Sequence, residues 1–489
     1  MAVITRGLII NGKEKAARNN RMTDDISPWT GAVYARIAAA SPEDVNAAAD
    51  AAAAAFPAWS EMRPFERRKI FLRAADLMEQ RAEEAIELMA REVGGARPWA
   101  KFNTELCAEI LREAAAAITQ PTGQILATNA AGSQSYAERM PYGVIAAISP
   151  WNAPFILGIR SIAIPLAMGN CVVMKPSEDA PISCGLYLAE ILHEAGLPAG
   201  VLNVVTNDPR DAGLIVETLI GHPQVRLVNF TGSTHVGRLI GIEAAKNIKP
   251  AILELGGKNA LVVLKAADID YAVEAAIFGA FMNSGQICMS TDRIIVEREI
   301  ADDFIGKLAN AANKIIYGDP ANPGTVVGPV VNGKSALRIS TLIKDAVDKG
   351  AKLLAGSGEI EGQAGTLLKP ILLTDVNPDM AIFYNEIFGP AAVIHVVDSV
   401  SEAIALANDT DYGLTGGVIS EDIRAAMNVA RQMKTGIVHV NGQGIGDEPM
   451  APFGGIKNTG YGHFGGQSGM EAFTVTRWVT VKERGHEIP

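Results

Sequence analysis

Cysteine is scarce in this sequence: four residues in 489, namely Cys107, Cys171, Cys184 and Cys288. Thiols this widely scattered do not form the disulfide framework of a secreted domain. Long apolar runs are also missing, since none approaches the ~18 residues that span a bilayer. The opening MAVITRGLIING holds only a short apolar patch, too short for a signal peptide. These absences predict a soluble, reduced, cytoplasmic protein.

Basic charge and metal-ligand motifs are lacking too. Lys and Arg number 43 against 54 Asp and Glu, which gives a net charge of −11. A chain this acidic repels phosphates, so we expect no nucleic-acid partner. The seven histidines are dispersed and neither HExxH nor CxxC occurs, so we expect no metal site.

The composition is that of a globular protein, with 48% apolar and 20% charged residues. The length suggests about three domains or two large ones. In the first part of the chain the pattern predicts three helices. The first is capped by Ser41, with Pro42 in its first turn, and is rich in alanine to Phe56. The others are expected over residues 64–92 and 103–118.

From residue 142 short apolar runs alternate with helical stretches. The predicted strands are Gly143–Ile148, Cys171–Met174, Leu202–Val205, Val225–Phe230 and Ala251–Leu255, and the predicted helices are Phe155–Met168, Pro181–Ala195, Asp211–Leu219 and Thr234–Ala245. This order predicts an α/β fold with a doubly wound, mostly parallel sheet. After Gly256 a second α/β unit begins with the strand Leu261–Leu264, the helix Tyr271–Met282 and the strand Arg293–Val296. A β-rich strand is expected within Ala472–Lys482.

Three places could carry chemistry. Phe230–Gly237 follows a strand and opens a helix, where free N–H groups favour anions. Its spacing is GxxxxG and not GxGxxG, so on its own it is better explained as an ordinary tight turn. Lys175 and Glu178 follow a neighbouring strand and could hold ribose hydroxyls, or they could form a solvated turn. A carboxylate there would repel a 2′-phosphate, which favours NAD over NADP.

The third place is a pair, Glu254 in LELGGK and Cys288 in GQICMS. A thiolate is a strong nucleophile, but a free thiol is only slightly ionised near neutral pH and needs a base, a cation or a helix N-terminus beside it. A lone cysteine is otherwise a small buried apolar residue, and this is how we interpret Cys107, Cys171 and Cys184.

Seven motifs together resemble the aldehyde dehydrogenase superfamily over essentially the whole chain. They are SPWNAP (149–154), MKPSE (174–178), FTGS (230–233) with Gly237, LELGGK (253–258), GQICMS (285–290), EIFGP (386–390) and PFGGIKNTGYG (452–462). The resemblance implies that Cys288 attacks the aldehyde carbon and that Asn152 and the Cys288 N–H hold the oxyanion. Hydride then leaves for NAD, and Glu254 activates the water that hydrolyses the thioester.

The resemblance also implies a cofactor site. Lys175 and Glu178 would hold the adenosine ribose, Ser233 the pyrophosphate and Glu386 the nicotinamide ribose, and Phe388 would lie against the nicotinamide. The remaining positions assigned to the cofactor are Ser149, Pro150, Trp151, Ser177, Gly232, Gly237, Leu255 and Gly256.

The fold implied is aldehyde dehydrogenase-like and has three parts. These are a doubly wound cofactor domain (1–118 and 142–255), an α/β catalytic domain (256–469) and a small β oligomerisation arm (119–141 and 470–489). Members of the family are dimers or dimers of dimers, so a homodimer or homotetramer is expected.

The C-terminal run GYGHFGGQSGMEAFTVTRWVTVK resembles the branch that oxidises aromatic aldehydes, namely the vanillin, salicylaldehyde and benzaldehyde dehydrogenases of bacterial aromatic catabolism. Candidate pocket residues are Arg160, Met282, Ile287 and Met450; apolar side chains would form a slot for a ring, and Arg160 could meet a ring hydroxyl or cap a helix face. The alternatives are a semialdehyde or aliphatic aldehyde dehydrogenase, an acyl-CoA-forming enzyme (against which Glu254 argues), and a non-catalytic structural protein.

Overall fold

The computed structural model describes residues 3–482. Its first elements are β1 (Ile4–Arg6), β2 (Leu8–Ile10), β3 (Lys13–Lys15), β4 (Met22–Ile26), β5 (Val33–Ala38), α1 (Pro42–Ser60), α2 (Pro64–Gln80), α3 (Ala82–Glu92), α4 (Arg97–Ala117), β6 (Gly123–Leu126) and β7 (Ser133–Pro141). The alternating part follows with β8 (Val144–Ser149), α5 (Pro154–Ala167), β9 (Cys171–Pro176), α6 (Tyr187–Glu194), β10 (Leu202–Val204), α7 (Ala212–Gly221), β11 (Val225–Thr231), α8 (Thr234–Lys246) and β12 (Ala251–Glu254).

The second α/β unit contains β13 (Asn259–Val263), α9 (Ile269–Phe281), β14 (Thr291–Glu297), α10 (Arg298–Asn313), α11 (Gly333–Asp348), β15 (Lys352–Ala355), β16 (Ile371–Thr374), α12 (Ala381–Tyr384), β17 (Ala391–Val397), α13 (Val400–Asn408), β18 (Thr415–Ile419), α14 (Ile423–Gln432) and β19 (Ile437–Val440). The chain continues through β20 (Gly460–Tyr461), α15 (Gly466–Ala472) and β21 (Thr474–Lys482).

The helix predicted over residues 64–92 is two helices, because the chain leaves the helical conformation at Arg81 (φ −101°, ψ 21°). Arg81 pairs with Glu84 at 2.8 Å and lies over the Tyr187 ring at 4.8 Å. The apolar spacing continues across this single residue, so the pattern could not show the break. The helix predicted from residue 103 begins at Arg97, because Pro98 in its first turn needs no N–H partner.

The segment predicted as one helix over Pro181–Ala195 begins with a wider turn at Ile182–Leu186 before α6. The buried Glu92 carboxylate accepts hydrogen bonds from the Ile182 and Ser183 N–H groups at 2.7 and 2.8 Å. These two bonds to Glu92 of α3 give partners to amide groups that have none within their own first turn.

The first sheet has eight strands in the order β20-β12-β11-β8-β9-β10-β2-β3. Strands β8 to β12 pair in parallel, as the doubly wound prediction requires. From β8 the chain builds outward through β9 and β10, and then returns to place β11 on the other side of β8. This reversal opens a crevice at the carboxyl ends of β8 and β11, the place where α/β sheets bind ligands.

The second sheet has seven strands in the order β15-β16-β17-β14-β13-β18-β19, and all neighbours except β15 and β16 are parallel. Its strands β13 and β14 are buried throughout. This matches the near-continuous apolar sequence of β13, whereas β14 begins with the buried polar residues Thr291, Asp292 and Arg293. The predicted α/β class with two sheet units is confirmed. β20 of the C-terminal motif crosses to the first sheet and pairs with β12.

The strands β6, β7 and β21 form a separate three-stranded antiparallel sheet, here called the arm. β21 pairs with β7 over its whole length, from Thr474 opposite Pro141 to Lys482 opposite Ser133. The domain boundaries and the oligomerising role of the arm stay predictions, and residues 1–2 and 483–489 of those ranges lie outside the described residues. Within residues 3–482, no helix has both the length and the apolar character needed to cross a membrane.

Candidate active site

Four of the sequence motifs meet at one edge of the first sheet. Lys175 lies at the end of β9, Asn152 follows β8, Ser233 follows β11, and Glu254 ends β12. These four strands are neighbours in the sheet, with parallel pairing between them. Because the carboxyl ends of parallel strands meet at one edge, residues far apart in sequence share one crevice.

The loop that carries Cys288 comes from the other sheet unit and is joined to this edge by hydrogen bonds. The Asn152 side-chain amide donates to the Gln286 carbonyl oxygen at 2.9 Å. In the opposite direction, the Asn283 amide donates to the Asn152 carbonyl oxygen at 2.9 Å. Asn152 is therefore fixed beside Cys288, and its amide has a second N–H that these bonds do not use.

The backbone before Cys288 is strained. Asn283 and Ser284 have φ values of 49° and 57°, and Gly285 follows at 66°. Left-handed backbone at consecutive non-glycine residues is costly and persists only where the surroundings hold it. The Ser284 hydroxyl donates to the Gly328 carbonyl oxygen at 2.9 Å, and the Gln286 side-chain oxygen accepts from the Val331 N–H at 2.9 Å. These bonds fix the loop and, with it, the direction of the Cys288 side chain.

Cys288 and Glu254 influence each other electrostatically. Burial raises the pKa of the Cys288 thiol well above its ordinary value, and the negative charge of Glu254 adds to the rise. Burial also raises the pKa of the Glu254 carboxyl, to about 8, while the Arg160 charge acts against it. Glu254 is 3% exposed, and neither of its carboxylate oxygens makes a hydrogen bond of good geometry within the described residues. A buried carboxylate without partners and with a raised pKa is suited to be a general base.

Lys175 and Glu178 form an ion pair, and Glu178 also accepts a hydrogen bond from the Asn207 amide at 2.8 Å. Burial acts to raise the pKa of Glu178, but the Lys175 charge and these hydrogen bonds outweigh it, so that its pKa lies below the ordinary value. Glu178 is therefore an anion beside the crevice. Ser177, in the same turn, accepts from the Asp179 N–H at 3.3 Å.

The turn from β11 into α8 has the small residues that a close backbone approach requires. Ser233 caps α8, its hydroxyl accepting from the Val236 N–H at 3.4 Å. A Cβ at Gly237 would lie 2.3 Å from a Leu255 methyl carbon, and one at Gly232 would lie 2.5 Å from the Phe230 ring. Gly237 thus permits tight packing of α8 on β12, which agrees with the simple-turn interpretation as well as with an anion site.

A second carboxylate, Glu386, faces this turn from the other sheet unit. It accepts from the Gly257 N–H at 2.8 Å, and a Cβ at Gly256 would lie 2.6 Å from one of its oxygens. Burial raises the pKa of Glu386 to about 7, and the Gly257 hydrogen bond acts against this rise. Phe388, with φ 45°, meets Trp151 edge to face at a centroid distance of 5.7 Å.

These residues have the chemistry that a dinucleotide site requires. Lys175 and Glu178 offer charged groups for ribose hydroxyls, the helix N-terminus at Ser233 favours an anion, and the Trp151–Phe388 pair offers an aromatic surface. The buried Asn207 side-chain oxygen has no partner within the described residues. Among the other predicted cofactor residues, the Ser149 hydroxyl donates to the Leu157 carbonyl oxygen at 3.4 Å, and Pro150 connects it to Trp151.

A small cavity of about 20 Å³ with an aromatic wall lies beside Arg160, whose charge acts on Glu254 and Cys288. Its lining includes Ile110, Ile164, Phe453, Phe464 and Phe473, with the charged residues Glu113, Arg160 and Glu448. Of the four predicted pocket residues, Arg160 lies on this cavity. Ile287 is buried, Met282 is partly buried against the core and Met450 is exposed. The three apolar residues do not line this cavity, and their role as a pocket stays a prediction.

Sequence reasoning missed two residues of the site. Asn259 donates to the carbonyl oxygens of Cys288 and Ser290 at 2.7 and 2.9 Å, and so holds the nucleophile loop in place. The sequence could have indicated this residue, since Asn259 directly follows the LELGGK motif. Asp447 is the ion-pair partner of Arg160. Nothing in the motif pattern marks Asp447.

The chain is similar to known proteins over almost its whole length. Residues 15–479 match the aldehyde dehydrogenase family. A vanillin dehydrogenase of Pseudomonas sp. (strain HR199 / DSM 7063) is 47% identical over 482 residues, which covers 99% of this chain and 99% of that protein. The crystal structure of a salicylaldehyde dehydrogenase from Pseudomonas putida G7 complexed with salicylaldehyde superposes with a TM-score of 0.96 at 40% identity, covering 99% of this chain and 100% of the other. PnpE in complex with nicotinamide adenine dinucleotide superposes with a TM-score of 0.94 at 34% identity, covering 99% of each chain.

Proposed function

This chain belongs to the aldehyde dehydrogenase family, and from that membership we propose that it oxidises an aromatic aldehyde to the carboxylic acid with NAD. The observation that supports the proposal most directly is that Asn152 is hydrogen-bonded to the loop of Cys288 and that the charge of Glu254 acts on the Cys288 thiol. A thiol nucleophile, a buried base and an amide donor are the three groups that this reaction needs.

The chemistry begins at the Cys288 sulfur. Burial and the nearby carboxylates raise the pKa of the thiol, so attack requires that the thiol first loses its proton to solvent. The sulfur bonds to the aldehyde carbon, and the carbonyl oxygen becomes an oxyanion held by the Asn152 amide and the Cys288 N–H. Loss of one such donor costs roughly 3–4 kcal/mol in comparable sites.

The second half of the reaction releases the acid. Lys175, Glu178, Ser233 and Glu386 would hold NAD, which would accept the hydride and so leave Cys288 as a thioester. Glu254 takes a proton from water, and the water oxygen bonds to the thioester carbon. The carbon–sulfur bond then breaks, and the proton passes from Glu254 to the Cys288 sulfur. Glu254 can serve because it is buried, its pKa is raised and it interacts with Cys288. We propose NAD and not NADP because the Glu178 carboxylate would repel a 2′-phosphate.

An aromatic substrate is favoured over a semialdehyde by the charges near the site. A semialdehyde carries a carboxylate besides its aldehyde, and the carboxylates Glu113 and Glu448 line the cavity beside Arg160, which is itself paired with Asp447. The relatives named vanillin and salicylaldehyde dehydrogenase support the same choice.

We also propose that the chain works as a homodimer or homotetramer joined through the arm. Ile125 and Trp478 on the arm are 83% and 73% exposed, and exposed apolar side chains on an open sheet are typical of subunit contacts. We place the protein in the cytoplasm, since an enzyme that depends on one reduced thiol needs reducing conditions.

The test is NADH formation from a panel of benzaldehyde, vanillin, salicylaldehyde, succinic semialdehyde and a long-chain aldehyde, each with NAD and with NADP. We expect the highest kcat/KM for an aromatic compound with NAD. Faster turnover of the semialdehyde or the long-chain compound would refute the aromatic assignment and leave the family assignment intact.

A further inference from the structure

The EIFGP turn (residues 386–390) has a strained backbone. Phe388 has a φ of 45°, in the left-handed region that bulky side chains rarely adopt. Such a conformation persists only where the surroundings hold it, and it is concentrated at ligand sites. In this conformation the Phe388 ring meets Trp151 edge to face at a centroid distance of 5.7 Å. The contacts that hold the turn therefore also decide where Glu386 and Phe388 lie.

The EIFGP turn lies directly against the nucleophile loop. A Cβ at Gly285, three residues before Cys288, would lie 1.9 Å from the Gly389 carbonyl oxygen. The Gly257 N–H of the LELGGK motif donates to Glu386 Oε1 at 2.8 Å, and this bond does not use Oε2. The turn thus contacts both the nucleophile loop and the LELGGK segment, and a small displacement would change the position of the Glu386 carboxylate relative to both.

The buried side of the turn is held by a carboxylate. The Ile387 N–H donates to Asp292 Oδ2 at 2.9 Å, and the same oxygen accepts from Lys258 Nζ at 3.0 Å. The Lys258 and Asp292 side chains are 0% and 5% exposed. This contact fixes one N–H group and leaves the carbonyl oxygens of the turn to other donors.

Arg338, on α11, supplies those donors. Its Nη1 donates to the Glu386 carbonyl oxygen at 3.1 Å, and its Nη2 donates to the Ile387 carbonyl oxygen and, at 3.4 Å, to that of Phe388. One planar guanidinium therefore binds three consecutive carbonyl oxygens, which a compact ammonium group could not do. Arg338 is exposed, so it binds the turn from the solvent side, opposite the buried Asp292 contact.

The Arg338 charge also acts on the Glu386 carboxylate. Burial raises the pKa of Glu386 to about 7, and the Gly257 hydrogen bond and the charges of Arg338 and Lys258 act against this rise. An ionised carboxylate only accepts hydrogen bonds, which suits the hydroxyl groups of a ribose. Arg338 thus favours both the position and the charge state that a ribose contact requires.

We propose that Arg338 is a positioning residue for the nicotinamide half of NAD. It holds the EIFGP turn so that Glu386 meets the nicotinamide ribose and Phe388 meets the nicotinamide ring. This inference rests on the proposed NAD-dependent oxidation and goes beyond it, since Arg338 belongs to none of the motifs. The adenosine half would be held at Lys175 and Glu178, on the other sheet unit, so the two halves of NAD should respond differently to a change at Arg338.

The experiment measures Kd for NADH and for AMP, which lacks the nicotinamide half, by isothermal titration calorimetry without aldehyde. Arg338→Ala and Arg338→Met both remove the donors at an exposed helix position, and both residues favour a helix. We expect the Kd for NADH to rise about 10-fold, the usual effect of losing hydrogen bonds from a charged group, and the Kd for AMP to stay within about twofold.

Two further variants separate positioning from a general structural role. Arg338→Lys keeps a charged donor and should recover part of the NADH affinity, although one ammonium group cannot bind all three carbonyl oxygens. Arg298→Met removes an arginine of the same sheet unit that is 63% exposed and paired with Asp398, and it should change neither Kd. The thermal unfolding midpoint is measured for every variant.

Unchanged NADH affinity in both Arg338→Ala and Arg338→Met would overturn the inference and leave the proposed function standing. An equal loss of NADH and AMP affinity, or failure of both variants to fold, would overturn it too, because Arg338 would then have a general structural role. Failure of the unaltered protein to bind NADH would overturn the proposed use of NAD and this inference with it. Because no aldehyde is present, an error in the aromatic assignment alone would change none of these results.

Discussion

The side-chain amide of Asn152 donates to the carbonyl oxygen of Gln286 at 2.9 Å, two residues before Cys288. This bond joins the end of β8 in the first sheet to the nucleophile loop, which follows α9 of the second unit. Asn152 thus positions the loop, and its remaining N–H is the one that we propose holds the oxyanion. The proposed task requires the amide orientation that the Gln286 bond fixes.

Cys288→Ala should abolish aldehyde oxidation, with a loss in kcat of roughly 10⁴-fold or more, because no other group can hold the acyl unit covalently. The measurement is NADH formation at saturating benzaldehyde or vanillin. Cys184→Ala is the matched control: this thiol is fully buried in the first unit, and its loss should leave the rate within a few-fold. An unchanged rate in Cys288→Ala would show that the covalent route is wrong.

Glu254→Gln should separate the two halves of the reaction. We expect a pre-steady-state burst of NADH of about one equivalent per site, followed by slow turnover, because hydrolysis of the thioester loses its base. A variant with no burst and uniformly slow kinetics would place Glu254 in the acylation half instead.

The same carboxyl predicts a pH profile. Burial raises its pKa to about 8, and only the ionised form accepts a proton from water. The hydrolysis rate should therefore rise with pH through about 8 and fall about tenfold for each unit below it. The measurement is the steady-state rate after the burst against pH. In Glu254→Gln the slow residual rate should lose this dependence, and a rate that instead fell with rising pH would contradict the assignment.

Glu178→Gln should shift cofactor use. The carboxylate pairs with Lys175 and accepts from Asn207, so its removal frees Lys175 and ends repulsion of a 2′-phosphate. We expect the ratio of kcat/KM with NADP to that with NAD to rise about 10- to 100-fold, because like charges at such contacts cost several kcal/mol. Glu194→Gln, on the exposed end of α6, is the control. An unchanged ratio would mean that Glu178 does not face the ribose.

Charged substitutions on the arm should lower the oligomeric state. Ile125→Glu with Trp478→Glu places two carboxylates on an apolar surface that we propose is covered by another subunit, and burying them there is unfavourable. Light scattering coupled to size exclusion gives the mass. Phe65→Glu, at an exposed position on α2, should leave the mass unchanged. If the double arm variant keeps the mass of the unaltered protein, the arm is not the contact.

Apolar periodicity and strand order predicted the positions of the central strands well. The strands β8, β9, β11 and β12 are found within two residues of their predicted ends, because buried parallel strands are short apolar runs bounded by turns. The parallel order then brings Lys175, Asn152 and Glu254 to one edge without any further information.

What the sequence could not predict depends on contacts between distant segments. The break at Arg81 depends on Glu84 and on the Tyr187 ring from α6. The pairing of Arg160 with Asp447 joins residues 287 positions apart, and no local pattern encodes it. The strained backbone at Asn283 and Ser284 is likewise held by hydrogen bonds from outside its own loop.

The uneven burial of the four thiols has a practical consequence. Cys107, Cys171 and Cys184 are buried, and Cys288 alone among them is partly exposed. Alkylating reagents react with thiolates that they can reach, so incorporation of label into the native protein should stop at one equivalent per chain. The rate of labelling should rise at alkaline pH, because the pKa of the Cys288 thiol is raised. The amount of label incorporated therefore measures how many intact active sites a preparation contains. Protection of Cys288 from the label by an added aldehyde or dinucleotide measures the affinity for that ligand without turnover.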